Sequence, residues 1–201
     1  MPKKKQPVGG NGSTKSGILD ATIRLLRERR GADLTMDQVA QAASCAKGLV
    51  HYHFRKKDQL LAAAAGRMWE DRAAAWRRAL DAEDPKASIG AAWNLLATDS
   101  STGVAAACAA LGMRREELIV QSVNSGRVAL ARGVTEALDQ LLGRMGREAT
   151  VPIGELGTLL AAIIEGIGLQ LGSGAGQDEL EQAWAAFWVG LLSLTSSRRS
   201  G

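Results

Sequence analysis

The segment over residues 35–54, TMDQVAQAASCAKGLVHYHF, constrains the fold of this chain more than any other. Thr35 followed three residues later by Gln38 forms a capping box, a signal that starts a helix. Ser44 interrupts that helix and is expected to cap a second one. The segment therefore predicts two short helices joined by a tight turn.

The second predicted helix carries more polar side chains than core packing requires. Val50 and Phe54 are expected to face inward. The remaining surface is expected to carry Lys47, Leu49, His51, Tyr52 and His53. We interpret it as a recognition helix, while packing beside Phe54 stays an alternative for Tyr52 and His53.

Charge is divided unevenly along the chain. Residues 1–60 hold 12 Lys and Arg against 5 Asp and Glu, a net charge of +7, whereas residues 61–201 hold 13 against 16, a net charge of −3. A basic N-terminal third is typical of a module that binds a polyanion. The alternative is a solubilising lysine tail over residues 3–5, but without those three lysines the module still carries +4. The pattern favours nucleic acid as a partner.

The pattern V-A-x-x-A-x-x-x-K-G-x-V-x-Y-H-F-x-x-K-D-x-L, from Val39 to Leu60, resembles the DNA-binding domain of the TetR family of transcriptional regulators. The resemblance covers roughly the first third of the chain and contains many fixed spacings. The family usually has Gly at the position of Ser44 and Ser or Thr at that of Ala46, and it often has Tyr at that of His51.

The resemblance implies that the second helix of the pair enters the major groove of duplex DNA. The N-termini of the first, second and fourth helices would hold phosphates, since their free N–H groups attract anions. Lys47 and Leu49 are the candidates for base edges, because Lys donates to guanine and Leu contacts a thymine methyl. The residues expected at the DNA are Thr35, Cys45, Ala46, Lys47, Gly48, Leu49, His51, Tyr52, His53 and Lys57.

The rest of the chain is predicted to be helical, with no convincing strand-type alternation. The first helix is expected to start near Ser16 and to end at Gly31. Later helices are predicted over residues 57–82, 85–99, 102–113, 114–146, 152–171 and 178–196. The predicted fold is all-α: a disordered basic arm over residues 1–14, a three-helix helix-turn-helix DNA-binding domain over 15–60, and a helical ligand-binding and dimerisation domain over 61–201.

The last two predicted helices, residues 152–171 and 178–196, are unusually apolar. A thick core is one explanation, and pairing with the same two helices of a second copy is the other. TetR relatives dimerise in the second way, so the resemblance favours a homodimer. Two recognition helices related by two-fold symmetry call for a palindromic operator in double-stranded DNA.

The resemblance also implies a repressor that is released from its operator by a small-molecule inducer. Candidate pocket residues interrupt or line apolar faces of the C-terminal helices: Trp76, Trp93, Met113, Asn124 and Glu165. Each is also compatible with plain core. Glu165 requires a partner or a cationic ligand if it is buried, whereas an exposed face or a salt bridge across the dimer is the alternative that we slightly prefer. We expect a flat, apolar, aromatic inducer, with a cationic group as one option.

Other classes of protein have weaker support. Cys45, His51, His53 and Asp58 contain the ingredients of a nucleophile site, but they lie within the unit already assigned to DNA. The sequence contains no GxSxG motif, phosphate loop or zinc spacing, so we expect no enzyme, cofactor or metal. A ligand-binding or redox-sensing protein using Cys108 stays an alternative. Two cysteines and the lack of a long apolar run indicate a cytoplasmic protein without a membrane span.

Overall fold

The computed structural model describes residues 11–198, and side chains from Thr14 onward. The N-terminal unit contains α1 (Asn11–Glu28), α2 (Met36–Ala42) and α3 (Lys47–His53). Helix α1 begins before the start predicted near Ser16. Residues 11–14 of the predicted arm lie within this helix, and the lysines of the arm at positions 3–5 lie outside the described residues.

The junction between α2 and α3 confirms one sequence signal and corrects another. The backbone N–H of Gln38 donates to Oγ1 of Thr35 over 3.2 Å, and the N–H of Thr35 donates to Oε1 of Gln38 over 3.0 Å. Ser44, however, does not cap α3: its φ is +52°, and the residue that caps α3 is Ala46. An N-cap needs an extended backbone, whereas Ser44 takes the left-handed conformation that turns the chain.

The N-terminal helices enclose a small core of their own. Its buried members come from α1, α2, α3 and the start of α4: Ile18, Val39, Ala40, Val50, Phe54 and Leu60. Lys15 lies over the ring of Phe54, with its Nζ 5.7 Å from the ring centre. Only Val50 of α3 is fully buried, so this helix is held by one side and leaves the other side in solvent.

The C-terminal part is built from α4 (Lys57–Leu80), α5 (Pro85–Ser101), α6 (Val104–Gly112), α7 (Glu117–Arg144), α8 (Ile153–Gly172) and α9 (Gln177–Ser193). Helices α4 and α7 form its centre, and α5, α6 and α8 pack around them. Gly126 permits the close approach of α4 and α7, since a Cβ there would lie 2.3 Å from Cβ of Trp69. The predicted all-α architecture is confirmed.

A short antiparallel pair, β1 (Arg147–Ala149) and β2 (Thr195–Ser197), joins the ends of α7 and α9. The sequence did not predict it, because three residues are too few to show strand alternation. The helices predicted to reach residues 146 and 196 end instead at Arg144 and Ser193. The guanidinium of Arg147 donates to Thr195 and to the carbonyl oxygen of Leu192, which fixes the pair to the end of α9.

Helix α8 alone among the described helices is long and apolar enough to cross a membrane by itself. Helices α5 and α6, which meet at a bend of 70°, are long and apolar enough to cross a membrane only when they are counted as one span. In the structure α8 buries Leu156, Leu160 and Ile164 in the main core, against α5 and α7. Its apolar composition is thus explained on one side by packing within the chain.

Candidate functional site

The predicted DNA-contacting residues all lie at the surface of the N-terminal unit. Tyr52 is the most prominent large side chain of α3, with 67% of its surface exposed. The exposed members of the set are Thr35, Ala46, Lys47, Gly48, His51 and Tyr52, and the partly buried ones are Cys45, Leu49, His53 and Lys57. We call this set of surface residues the α3 face. Val50 lies on the other side of α3 and is buried.

Two lysines of the α3 face are held by carboxylates of the neighbouring segment. Nζ of Lys47 lies 2.8 Å from Oδ1 of Asp37, in the first turn of α2. Nζ of Lys57 lies 2.9 Å from Oδ1 of Asp33. Both pairs are solvent-exposed, so their strength is small and a phosphate or base can replace the carboxylate.

The aromatic pair on α3 is arranged with one ring against the other. Tyr52 and His53 meet edge to face, with ring centres 5.1 Å apart. Nε2 of His53 is buried and has no hydrogen-bond partner within residues 11–198. This arrangement directs the Tyr52 side chain outward and places His53 behind it.

Asp33 connects the N-terminal unit to the C-terminal helices. It accepts a hydrogen bond from Nη2 of Arg114 over 2.6 Å, in addition to its contact with Lys57. The hydrogen bond from Arg114 first, and then that from Lys57, lowers the pKa of Asp33 to about 2. Because Arg114 precedes α7, the triad ties the loop before α2 to the C-terminal part.

Close packing connects α1 to α6 at two further points. A Cβ at Gly31 would lie 2.2 Å from Cβ of Ala110, and one at Gly103 would lie 2.1 Å from the carbonyl oxygen of Arg27. Arg30 also donates to the carbonyl oxygen of Gly172 at the end of α8. Helix α6 therefore packs directly against the end of α1.

A cavity of about 370 Å³ lies between α4, α6, α7 and α8. Glu165 and Met113, two of the five predicted pocket residues, line it. Its full lining is Trp69, Arg72, Ala105, Cys108, Ala109, Gly112, Met113, Arg127, Glu165, Gly166 and Leu169. We call this space the α6 cavity.

The other three predicted pocket residues lie elsewhere. Trp76 is fully buried and meets Trp184 edge-on, with ring centres 6.4 Å apart. Trp93 is buried in the main core, and Asn124 is exposed on α7. None of the three lines the α6 cavity. Large aromatic side chains filled the core because burying them is favourable without any ligand.

Sequence reasoning missed Trp69, Arg72 and Arg127, which carry most of the polarity and aromatic surface of the cavity. A signal was present for Arg72, since it falls one helical turn after Met68 on the buried stripe of α4. Nε of Arg72 donates to Oδ2 of Asp99 over 2.9 Å, with both side chains buried. Burial raises the pKa of Asp99, and the charge of Arg72 opposes that change.

Glu165 has a partner within the same chain. Nε of Arg127 donates to Oε2 of Glu165 over 3.2 Å, and Nη2 of Arg127 lies at the same distance. This ion pair satisfies the carboxylate without a cationic ligand. Cys108, beside it, is buried, and burial raises the pKa of its thiol to about 11.

Within residues 11–198, no group of His, Cys, Asp and Glu has the arrangement of a metal site. The two candidate sites of the described structure are the basic α3 face and the α6 cavity, which is lined by arginine donors. A two-helix unit that exposes one short helix, joined to a helical domain with a cavity open to solvent, is typical of helix-turn-helix proteins with a second helical domain.

Residues 18–64 match the family model described as bacterial regulatory proteins, tetR family. This match covers the whole α2–α3 unit and the start of α4. Residues 18–64 therefore form a DNA-binding domain of the TetR type, and the resemblance inferred from the sequence is confirmed. Comparison with curated proteins gave no significant match.

Several solved structures share the fold, and some of them are described as TetR transcriptional regulators. The reduced form of NemR from E. coli is 16% identical, with a TM-score of 0.75, and the alignment covers 93% of this chain and 100% of that one. A TetR transcription regulator from Haloarcula marismortui is 22% identical, with a TM-score of 0.67 and coverages of 92% and 100%. The SmeT–triclosan complex is 15% identical, with a TM-score of 0.67 and coverages of 92% and 92%. At these identities the comparison shows a shared fold.

Proposed function

We propose that this protein is a transcriptional repressor that binds a palindromic operator as a homodimer and leaves it when a small molecule binds the C-terminal domain. The observation that carries the proposal is the α3 face: a seven-residue helix with one fully buried side chain, in a unit of net positive charge. Such a helix gains little from packing, so its exposed Lys, His and Tyr side chains are best explained by contact with DNA.

The roles within the α3 face follow from exposure and chemistry. Lys47 and Leu49 are the proposed base contacts, and His51 lies on the same exposed side of the helix. Tyr52 and Lys57 are the proposed phosphate contacts, with the hydroxyl of Thr35 at the start of α2. Lys47 and Lys57 exchange Asp37 and Asp33 for DNA when the complex forms.

The proposed homodimer uses the outer faces of α8 and α9. Val189 is 72% exposed, and Leu159 and Leu169 are about half exposed on α8. The α9 residues around Val189 are small, which leaves the backbone accessible for close packing of a second copy: Ala185, Ala186 and Gly190. An apolar face of this kind on two adjacent helices fits an isologous four-helix interface.

The proposed response to a ligand passes through α6. Ala105, Cys108, Ala109 and Gly112 line the cavity, while Ala110 on the same helix lies against Gly31 of the DNA-binding unit. A ligand that displaces α6 therefore changes the position of α1 and of the α3 face. Such a ligand needs a preference of about 1–3 kcal/mol for the non-binding conformation. The structure of SmeT, which has the same fold, is that of its complex with triclosan.

We place the domain boundary between residues 60 and 61, inside α4. Leu60 belongs to the small N-terminal core and Leu61 to the main core, although the helix is continuous. The arm, the DNA-binding domain and the C-terminal domain keep their proposed roles. We propose a cytoplasmic, non-enzymatic protein, in line with regulators of this family.

The alternative, a redox sensor that uses a cysteine of the C-terminal domain, has less support. At a pKa of about 11 the Cys108 thiol is protonated at neutral pH, and the thiolate is the reactive form. Burial also raises the pKa of Cys45. Both shifts lower the reactivity of the thiols, so small-molecule binding is the better explanation of the cavity.

DNA binding is tested with a duplex that the wild-type protein selects from a random library. Tyr52→Ala should weaken binding to every sequence, whereas Lys47→Ala should change the order of preference among sequences. The only tyrosine of the chain is highly exposed, so neither stability nor helix content should fall. If Tyr52→Ala retains wild-type gel-shift affinity at moderate salt, the phosphate assignment is wrong.

Dimerisation is tested with two variants, one on the proposed interface and one at a matched position away from it. Val189→Asp introduces a charge on the proposed interface, and Val128→Asp introduces the same charge at a valine on α7 that is 68% exposed. Sedimentation should show monomers for Val189→Asp and dimers for Val128→Asp and wild type. Equal behaviour of the two variants would remove α9 from the interface.

A further inference from the structure

We propose that the α6 cavity binds a small organic acid, with its carboxylate held by Arg72 and its apolar ring lying against Met113 and Leu169. This inference names the class of ligand, and only the effect of that ligand on DNA rests on the proposed function. Four observations carry it: buried donors without partners, carboxylates that already have arginine partners, an excess of positive charge in the lining and the size of the cavity.

The cavity wall contains buried donors that lack acceptors. Nη2 of Arg72 and Nε1 of Trp69 are buried without a hydrogen-bond partner among residues 11–198. A buried donor left unpaired is costly, so an oxygen atom supplied by a ligand is favoured there. Trp76, Trp184 and Trp188 also have unpaired indole N–H groups but do not line this cavity, so Arg72 is the stronger indicator.

The acidic side chains around the cavity already have partners. Glu165 accepts from Arg127, and Asp99 accepts from Nε of Arg72. A cationic ligand would have to share one of these carboxylates with an arginine. The buried groups without a partner at this cavity are donors, which favours an acceptor such as a carboxylate over the cationic group considered from the sequence.

The local charge balance points to an anion. The residues that line the cavity include two guanidinium groups, those of Arg72 and Arg127, and one carboxylate, that of Glu165. Asp99, which accepts from Nε of Arg72, lies outside this lining. The excess is one positive charge, which a monocarboxylate neutralises. Charge-assisted hydrogen bonds to a carboxylate are also stronger than those to a neutral acceptor.

The apolar part of the ligand is defined by the opposite wall and by volume. Met113 and Leu169 line the cavity together with small residues of α6. An apolar cavity of about 150 Å³ holds one benzene ring, so the 370 Å³ available here accommodate a ring with a short acidic chain. Trp69 is only 1% exposed, and the Cζ atoms of Arg72 and Arg127 lie over its ring, 5.4 Å and 5.8 Å from the ring centre. Met113 and Leu169 are therefore the apolar contacts for the ligand.

The test uses three probes of the same shape and different charge: cinnamate, cinnamamide and cinnamylammonium. Calorimetric titration of the full chain, without DNA, should show cinnamate binding about tenfold or more tighter than cinnamamide, since a hydrogen bond to a charged group adds at least that factor. Cinnamylammonium should bind most weakly. Equal affinities, the reverse order or no binding by any probe would overturn the inference.

A variant then locates the contact. Arg72→Lys keeps a positive charge facing Asp99 but removes the guanidinium donors, so cinnamate affinity should fall about tenfold while cinnamamide affinity changes little. Arg78→Lys, at an exposed position of the same helix, is the matched control and should bind like wild type. An unchanged affinity in a folded Arg72→Lys protein would overturn the role of Arg72. If Arg72→Lys does not fold, the order of the three probes on wild type still decides the ligand class.

The two proposals fail in different ways. Tight and selective binding of cinnamate with unchanged affinity for the selected duplex would support the organic-acid site and contradict release by an inducer. Loss of DNA affinity with all three probes equally effective would support release and overturn the preference for acids. The calorimetric and gel-shift measurements therefore judge them separately.

Discussion

The two parts of this protein place their charged side chains in opposite ways. In the N-terminal unit the Lys47–Asp37 pair lies in solvent, with more than half of each side chain exposed. In the C-terminal part the Arg72–Asp99 pair lies in the interior, with side chains 2% and 10% exposed. The distances are nearly the same, 2.8 Å and 2.9 Å, so burial is the main difference between them.

This difference separates two kinds of site. An exposed ion pair contributes little to stability and exchanges its partner easily, as a surface that binds DNA requires. A buried ion pair is costly to break and holds its geometry, as a pocket that selects a ligand requires. In the proposed function, the exposed ion pair on α3 can exchange its partner for DNA, whereas the buried ion pair beside α6 holds a fixed geometry.

The largest expected effect comes from breaking the buried pair. Asp99→Ala leaves the Arg72 guanidinium buried without its partner, and we expect a loss of about 3–5 kcal/mol in the free energy of unfolding, measured by urea denaturation. Removing both charges, with Arg72→Met and Asp99→Leu together, should recover most of that loss. A loss below about 1 kcal/mol for Asp99→Ala would show that the interior pair behaves like a surface one.

The next effect concerns backbone conformation in the N-terminal unit. Ser44 has a φ of +52°, a conformation that costs a non-glycine residue about 1 kcal/mol. Ser44→Gly should therefore raise the free energy of unfolding by about 0.5–1 kcal/mol, because glycine adopts this conformation without strain. The control is Ser125→Gly at an exposed helical position, which should lower it. A destabilised Ser44→Gly protein would contradict this view of the turn.

The exposed pair should respond through DNA affinity instead of stability. Asp37→Asn frees Lys47 and removes a negative charge from the proposed DNA face, so binding to the selected duplex should strengthen up to about fivefold. The free energy of unfolding should change by no more than about 1 kcal/mol, since Asp37 also lies in the first turn of α2. Wild-type or weaker affinity for Asp37→Asn would count against Lys47 as a base contact.

The smallest effect is expected from Asp33, and it depends on pH. Its pKa is lowered to about 2 in the folded protein, so its stabilising contribution is complete above the ordinary value of 3.8 and is lost as the pH falls through about 2. Asp33 is largely exposed, so the contribution is a few tenths of a kcal/mol. Thermal unfolding of wild type and Asp33→Asn should differ most at pH 6 and converge as the pH falls below 4. A constant difference would exclude titration of Asp33 as its cause.

Much of the N-terminal unit was predictable because its signals are local. The capping box of Thr35 and Gln38 involves neighbours three residues apart, and the spacing around Val50 and Phe54 fixes one buried side. The start of α3 was not predictable from Ser44, because the left-handed turn depends on how α2 and α3 meet. The assignments of individual residues to base and phosphate contacts stay predictions.

The sequence by itself determined the helical fold, the helix-turn-helix unit and its basic surface, since these follow from periodicity, capping and charge within short segments. Only the tertiary structure decided which polar residues share the α6 cavity. Trp69 and Arg72 come from α4, Cys108 from α6, Arg127 from α7 and Glu165 from α8. Helical spacing indicates which residues face inward, but the partner of a buried side chain depends on how distant helices pack. That packing gave Glu165 a guanidinium and left Arg72 a free donor.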